Sequence, residues 1–160
     1  MSHSDFNQSL PSVAVLGLGY VGLTLSTVLS DIGFTVTGID CDSDLIKNLN
    51  KSIPHFHEKG LPQLLVDISR GESPPTYQST LSSSCAEVYI VTVGTPILRP
   101  SLKPNLDYVI NATSEVGSIL KKGDLVILRS TIPVGTTRSV VIPTLEKASG
   151  LVVGRDFDVA

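Results

Sequence analysis

A glycine motif near the N-terminus constrains the fold of this chain more than any other feature. The motif is Gly17-Leu18-Gly19-Tyr20-Val21-Gly22. It follows the apolar run 13–16 and precedes a helical pattern over residues 21–32, the strand–turn–helix context that dinucleotide binding requires. Gly17 permits the tight turn, Gly19 lets a diphosphate approach the backbone, and Gly22 lets the helix pack closely on the strand. The motif predicts that these six residues bind a dinucleotide; the alternative is a purely structural glycine-rich turn.

One carboxylate indicates which dinucleotide binds. Asp40 stands 18 positions after Gly22, at the end of a second predicted strand over residues 34–39. An acidic side chain at this place accepts hydrogen bonds from the adenosine ribose and repels the 2′-phosphate of NADP. Residues 41–44 contain no Arg that could bind that phosphate. We therefore expect NAD, although Asp40 could instead cap the next helix, a role for which Asp42 is better placed.

Strand and helix patterns alternate along the chain. Strands are predicted at 13–16, 34–39, 88–93 and 125–129 and from Phe157 onward, and helices at 21–32, 43–51, 61–70, 82–86, 106–122 and 136–148. This alternation predicts a Rossmann-like, doubly wound parallel α/β sheet with helices on both faces. Residues 1–11 are expected to form a flexible tail before one domain over 12–160, and the proline-containing segment 94–104 is expected to be a loop.

Composition excludes several classes of function. The chain is 41% hydrophobic with a net charge of −3 and has no basic run, so no nucleic-acid partner is expected. No apolar stretch reaches the roughly 18 residues of a membrane span, and no signal-peptide pattern is present, so a cytoplasmic protein is expected. Cys41 and Cys85 lack CxxC spacing and a nearby His cluster, so both are expected to be reduced thiols and no metal site is expected.

Two loops should complete the site, because ligands of parallel sheets bind beyond the carboxyl ends of the strands. The first is Val93-Gly94-Thr95-Pro96 and the second is Ser130-Thr131-Ile132-Pro133-Val134-Gly135-Thr136-Thr137. Both are rich in glycine and hydroxyl groups and should approach the nicotinamide half of the cofactor. We expect Val93, Gly94, Thr95, Ser130 and Thr131 to contact it; the alternative for either loop is ordinary turn chemistry.

The motifs together resemble the NAD-binding N-terminal domain of the UDP-glucose/GDP-mannose dehydrogenase family. The resemblance rests on the glycine motif, Gly38-Ile39-Asp40, the two loops, and Pro104-Asn105-Leu106-Asp107-Tyr108-Val109, and it covers about residues 12–160. It implies oxidation of C6 of a nucleotide sugar from alcohol to carboxylate with two NAD. Residues 121–128 and 149–157 most resemble the branch that acts on UDP-N-acetyl-mannosamine and related UDP-N-acetyl-hexosamines.

The resemblance also implies roles for single residues. Thr131 matches a catalytic Thr that orients a water near the nicotinamide and the reacting carbon, a task suited to a hydroxyl that both donates and accepts. Thr95 matches a hydroxyl residue that contacts the cofactor. The segment 58–61 matches a Glu-Pro-Gly-Leu motif, with Lys59 in place of Pro.

The resemblance further implies that this chain is the cofactor half of a larger enzyme. The family's catalytic Cys and its Lys and Asn lie in a later domain, and a catalytic Glu follows just beyond Ala160. Cys41 and Cys85 match none of them. The central helix, through which the full protein is expected to form a homodimer, and the UDP-sugar-binding domain are absent, so the chain alone is expected to be inactive.

Two alternatives remain open at the level of sequence. One is another Rossmann dehydrogenase, such as a 3-hydroxyacyl or 6-phosphogluconate type, which would share the glycine motif but not both later loops. The other is a non-catalytic NAD-binding module. The residues that would identify the sugar are not among those of this chain.

Overall fold

A parallel six-stranded sheet forms the centre of the computed structural model, which describes residues 10–81, 86–100 and 102–160. Its strands are β1 (Val13–Leu16), β2 (Val36–Ile39), β3 (Thr76–Gln78), β4 (Val88–Val91), β7 (Leu125–Leu128) and β8 (Asp158–Val159), and a separate antiparallel hairpin pairs β5 (Ile97–Leu98) with β6 (Lys103–Pro104). The strand order is β3-β2-β1-β4-β7-β8. The order reverses between β1 and β4, which is the switch point where doubly wound sheets bind dinucleotides. The predicted fold is confirmed.

Helices cover both faces of this sheet. They are α1 (Tyr20–Asp31), α2 (Ser43–Leu49), α3 (Leu61–Ser69), α4 (Asp107–Ile119) and α5 (Ile142–Ser149), with a π-helical segment (Thr137–Val141) leading into α5. The first three helices pack on one face, and α4 and α5 pack together on the other. In the part of the chain that the structure describes, no helix is long and apolar enough to cross a membrane.

The side chains of β1 show how the two cores are separated. Val13 and Val15 pack in the cluster that contains α1, α2 and α3, whereas Ala14 and Leu16 pack in the cluster of α4 and α5. Successive strand residues point to opposite faces, so a strand between two helical layers has to be apolar throughout. All four residues are buried, and the polar chemistry is therefore confined to the ends of the strands.

The register brings the carboxyl ends of the inner strands to one level. Leu16 pairs with Ile39 on one side and with Val91 on the other, and Val91 in turn pairs with Leu128. The glycine turn, Asp40 and the two predicted loops therefore emerge at one edge of the sheet.

Two short elements were missed by the sequence prediction. β3 has only three residues, two of them polar, and it follows Pro74-Pro75, so it carries no apolar run that would signal a strand. The hairpin of β5 and β6 lies in the segment 94–104 that was predicted to be a loop. Its strands are two residues each, too short for an alternating pattern.

Several boundaries differ from the prediction. β2 and β4 are shorter than predicted, and α4 ends at Ile119, so Lys121 and Lys122 lie beyond the last turn. Lys122 instead pairs with the buried carboxylate of Asp156 at 3.2 Å. The predicted helix 136–148 begins as a π-helical segment before Pro143, which lacks the N–H for a regular helical bond. The helix predicted at 82–86 lies, except for Ala86, outside the described residues, as does Cys85.

Candidate functional site

The glycine turn is shaped by close contacts with neighbouring backbone. Gly17 has φ +88°, and a Cβ built there would lie 2.9 Å from the N and Cα of Val93. The N–H of Gly17 donates to the carbonyl of Ile39 at 2.8 Å. A Cβ on Gly22 would overlap the carbonyl oxygen of Gly17. Both glycines are therefore required by the packing of the turn, which is the close helix–strand approach predicted for Gly22.

Gly19 differs from these two glycines. Its φ is −66°, which any residue adopts, and no atom lies within 4 Å of a Cβ built on it. Nothing in the part of the chain that the structure describes requires glycine here. The open space beside Gly19, which a side chain would fill, is called the cradle below. The first N–H groups of α1 open onto this region, and the positive end of the helix dipole favours an anion there. The turn fits a diphosphate.

Asp40 bonds to the glycine turn through its carboxylate. Its Oδ2 accepts the N–H of Leu18 at 2.7 Å, and its Oδ1 accepts the N–H of Asp42 at 3.0 Å. The cap of α2 is provided by Asp42, whose Oδ1 accepts from Asp44 and Leu45. The helix-cap alternative for Asp40 is therefore wrong. A carboxylate has about four acceptor positions, so Asp40 retains capacity for two ribose hydroxyls.

The middle residues of the motif divide between core and surface. The side chain of Leu18 is fully buried against Gly38, and its N–H is used by Asp40. Tyr20 and Val21 are exposed on the first turn of α1. Leu18 supports the turn from within, whereas Tyr20 and Val21 are accessible to a ligand.

Two hydroxyl bonds join the predicted loops. The hydroxyl of Ser130 donates to the carbonyl of Val93 at 2.8 Å, and the hydroxyl of Thr95 donates to the carbonyl of Thr131 at 2.6 Å. Gly94 and Thr131 are exposed. Within residues 10–81, 86–100 and 102–160 no group bonds to the hydroxyl of Thr131, and because Thr131 is exposed this hydroxyl is accessible to a ligand or a water.

A shallow cleft of about 400 Å³ begins at the glycine motif and follows α1. Tyr20 and Val21 line it together with Phe56, Glu58 and Arg129. The rings of Tyr20 and Phe56 lie 4.3 Å apart, so the loop before α3 is held against the first turn of α1. Sequence reasoning did not identify Phe56 or Arg129 as lining residues, because a single aromatic residue in a loop, or a single basic residue at the end of a predicted strand, carries no periodic signal.

Thr92 is a further residue that sequence reasoning missed. Its hydroxyl lies 2.9 Å from the carbonyl oxygen of Leu16 and 2.5 Å from that of Gly17. The predicted strand 88–93 included Thr92 as an ordinary strand residue. A hydroxyl one residue before a glycine-containing loop was the only signal available.

Comparisons with known proteins agree with this geometry. Residues 11–160 match the NAD binding domain of the UDP-glucose/GDP-mannose dehydrogenase family. The UDP-N-acetyl-D-mannosamine dehydrogenase of Campylobacter jejuni is 35% identical over 139 residues, covering 87% of this chain and 33% of the relative. The enzyme of the same name from Pyrococcus horikoshii is 37% identical over 150 residues, covering 92% and 35%.

A solved structure shows the same fold. The NDP-N-acetyl-D-galactosaminuronic acid dehydrogenase of Methanosarcina mazei Go1 aligns with a TM-score of 0.87 at 29% identity, covering 94% of this chain and 34% of that one. The chain spans about a third of the length of the curated relatives it matches. The family match over residues 11–160 excludes the other Rossmann dehydrogenases considered above. The chain therefore belongs to the UDP-glucose/GDP-mannose dehydrogenase family and comprises its NAD-binding domain.

Proposed function

We propose that this chain is the cofactor-binding part of a nucleotide-sugar 6-dehydrogenase, which oxidises C6 of a UDP-sugar to a carboxylate with two NAD. The observation that carries the proposal is the open cradle at Gly19 beside the carboxylate of Asp40, at the switch point of the sheet. A bound ligand would account for a glycine that neither its backbone conformation nor its neighbours require.

Each part of the cofactor has a matching part of the site. The turn formed by Gly17, Leu18, Gly19 and Gly22 would receive the diphosphate. Because the N–H groups of Gly17 and Leu18 already donate within the protein, the donors would be N–H groups of the first turn of α1, at the exposed Tyr20 and Val21. Asp40 would accept hydrogen bonds from the adenosine ribose. When bound, NAD supplies the hydride acceptor.

The two loops would hold the nicotinamide half. Val93, Gly94 and Thr95 follow β4, Ser130 follows β7, and the bonds from Ser130 and Thr95 keep the two loops together. The role we assign to Thr131 is to orient a water near the reacting carbon. Its exposed hydroxyl, with no partner in the described part of the chain, supports that role.

The relatives support the proposed substrate class. Relatives with 35% and 37% identity are UDP-N-acetyl-D-mannosamine dehydrogenases, and we favour a UDP-N-acetyl-hexosamine over UDP-glucose for the same reason. The complete enzyme would act in the cytoplasm as a homodimer and would bind the sugar through residues that this chain does not contain.

Calorimetry of this chain with NAD and with NADP tests the cofactor assignment. We expect NAD to bind with a Kd below millimolar and NADP to bind at least about tenfold more weakly, a difference of about 1.4 kcal/mol. Gly19→Ala is the matched control, because it fills the cradle without touching the protein. Absence of NAD binding at millimolar ligand, or preference for NADP, would contradict the assignment.

Turnover is tested separately by following NADH absorbance. The chain is mixed with NAD and, in turn, UDP-N-acetyl-mannosamine, UDP-N-acetyl-glucosamine and UDP-glucose. We expect no sugar-dependent NADH from the chain alone, since it lacks the proposed sugar-binding part. Formation of NADH in this assay would show that the chain is itself the complete catalyst.

A further inference from the structure

The hydroxyl of Thr92 lies where three elements meet at the glycine turn. We propose that Thr92 is a positioning residue, which orients the Gly17–Leu18 peptide so that the turn is preformed for the diphosphate. The inference rests on the proposed function, because the turn it positions is the one assigned to NAD.

Pairing of β1 with β4 places Thr92 beside the turn. Leu16 and Val91 are register partners, and the N–H of Thr92 continues the ladder by donating to the carbonyl of Leu16 at 2.8 Å. The side chain of Thr92 then reaches the next carbonyl, that of Gly17, at 2.5 Å. Thr92 therefore extends the attachment of β1 to β4 by one residue beyond the strands, into the turn itself.

The peptide that joins Gly17 to Leu18 is held at both of its polar groups. Its carbonyl oxygen lies beside the hydroxyl of Thr92, and its N–H donates to Asp40 Oδ2 at 2.7 Å. Thr92 follows β4 and Asp40 follows β2, the two strands that flank β1. The peptide at the end of β1 is therefore held from both neighbouring strands. Contacts at both polar groups restrain the rotation of this peptide plane, and its orientation sets the direction in which the chain enters Gly19 and α1.

The carbonyl oxygen of Gly17 is also in close contact with α1. A Cβ on Gly22 would overlap the Gly17 oxygen and would lie 2.5 Å from the Thr92 hydroxyl. The hydroxyl and the Gly22 Cα thus share the space around one carbonyl oxygen. The position of this oxygen is determined jointly by β4 and α1. The Thr92 hydroxyl is a side-chain group, so a smaller residue removes it without a steric clash.

Three variants separate positioning from general stability. Thr92→Ala removes the hydroxyl, Thr92→Ser retains it, and Thr113→Ala removes a comparable 2.7 Å hydroxyl–carbonyl bond inside α4. NAD affinity is measured by calorimetry, stability by urea unfolding, and the hydrogen exchange of the Leu18 amide by NMR. A larger side chain is avoided, because it would collide with the turn.

We expect Thr92→Ala to weaken NAD binding about five- to tenfold, the effect of one lost hydrogen bond, and to accelerate exchange of the Leu18 amide. Thr92→Ser should restore both properties, and Thr113→Ala should change stability alone. Parental NAD affinity and amide exchange in Thr92→Ala would overturn the inference, as would a loss in Thr113→Ala equal to that in Thr92→Ala.

Failure of the proposed function can be distinguished from failure of the positioning role of Thr92. If the parental chain does not bind NAD, the assignment of the cofactor fails, whereas the exchange of the Leu18 amide still reports on the turn. If the Leu18 amide then exchanges faster in Thr92→Ala but not in Thr92→Ser or Thr113→Ala, the positioning role is supported. Equal exchange of this amide in all variants would overturn it.

Discussion

The glycine turn and the pair of hydroxyl loops lie at the same sheet edge but are held in different ways. The turn is enclosed by the backbone of Val93, the first turn of α1 and the carboxylate of Asp40. The loops are joined by two side-chain bonds, from Ser130 and Thr95. The conformation of the turn is thus determined by the packing of the fold, whereas the two loops are held together by hydroxyl groups that a substitution can remove. Substitutions in the two regions should therefore differ in the size of their effects and in whether they change stability or binding.

The largest effect is expected where packing and binding coincide. Gly22→Ala places a methyl group on the Gly17 carbonyl oxygen, so α1 has to move away from β1. We expect the free energy of unfolding to fall by about 3 kcal/mol and NAD binding to be lost, as measured by urea unfolding and calorimetry. Parental stability in this variant would show that the turn adjusts easily and would remove the contrast with the loops.

Gly19→Ala separates binding from packing within the same turn. Its Cβ meets no atom within 4 Å, and its backbone conformation suits alanine. We expect the free energy of unfolding to change by less than about 1 kcal/mol, while NAD affinity falls at least about tenfold. Unchanged affinity would show that the diphosphate does not approach this residue.

The carboxylate beside the turn offers a matched pair. Asp40→Asn removes the charge that favours the ribose and disfavours a 2′-phosphate. NAD should bind about tenfold more weakly, because a charge-assisted bond is worth about 1.5–3 kcal/mol. The ratio of the Kd values for NADP and NAD should decrease. Asp42→Asn keeps an equally good helix cap and should change neither Kd. Equal effects of the two substitutions would indicate that overall negative charge, rather than Asp40 itself, sets the preference.

The loop pair should respond more weakly than the turn. Ser130→Ala removes the bond to the Val93 carbonyl, so we expect about 1 kcal/mol less stability and a loss of NAD affinity below about fivefold. Ser118→Ala, which removes an exposed bond within α4, is the control. A loss as large as that of Gly19→Ala would mean that the loops, and not the turn, dominate binding.

Asp156, beyond α5, should affect stability without affecting binding at pH 7. The hydrogen bond from Arg155, with further bonds from Val152 and Lys122, holds the pKa of the Asp156 carboxyl well below its usual range. A lowered folded-state pKa stabilises the protein above the unfolded pKa of about 4, and this contribution is lost as the pH falls below it toward the folded pKa.

The Asp156→Asn variant should therefore differ most from the parent near neutral pH and progressively less below pH 4. Urea midpoints at pH values from 7 to 2 measure this difference, and NAD affinity at pH 7 should stay parental. A difference that grows on acidification would contradict the sign of the pKa shift.

The parts that the sequence predicted well are those with strong periodic or turn signals. The apolar strand at 13–16, the Asp42 cap and the glycine spacing each depend on neighbouring residues, and the structure has all three as predicted. β3 and the Thr92 contact depend on partners far away in the chain, with Thr92 bonding to Leu16 and Gly17 across more than 70 positions. A sequence pattern carries no information about such partners.

The bond between Leu18 and Asp40 has a consequence for engineering the cofactor preference. Replacing Asp40 by a basic residue is the obvious route to an NADP-dependent enzyme, yet the same carboxylate is the acceptor for a partly buried turn N–H. The redesign would leave that donor without a partner, at a cost of about 1–3 kcal/mol. A successful NADP-dependent variant should therefore carry a second substitution that supplies a neutral acceptor to the Leu18 amide.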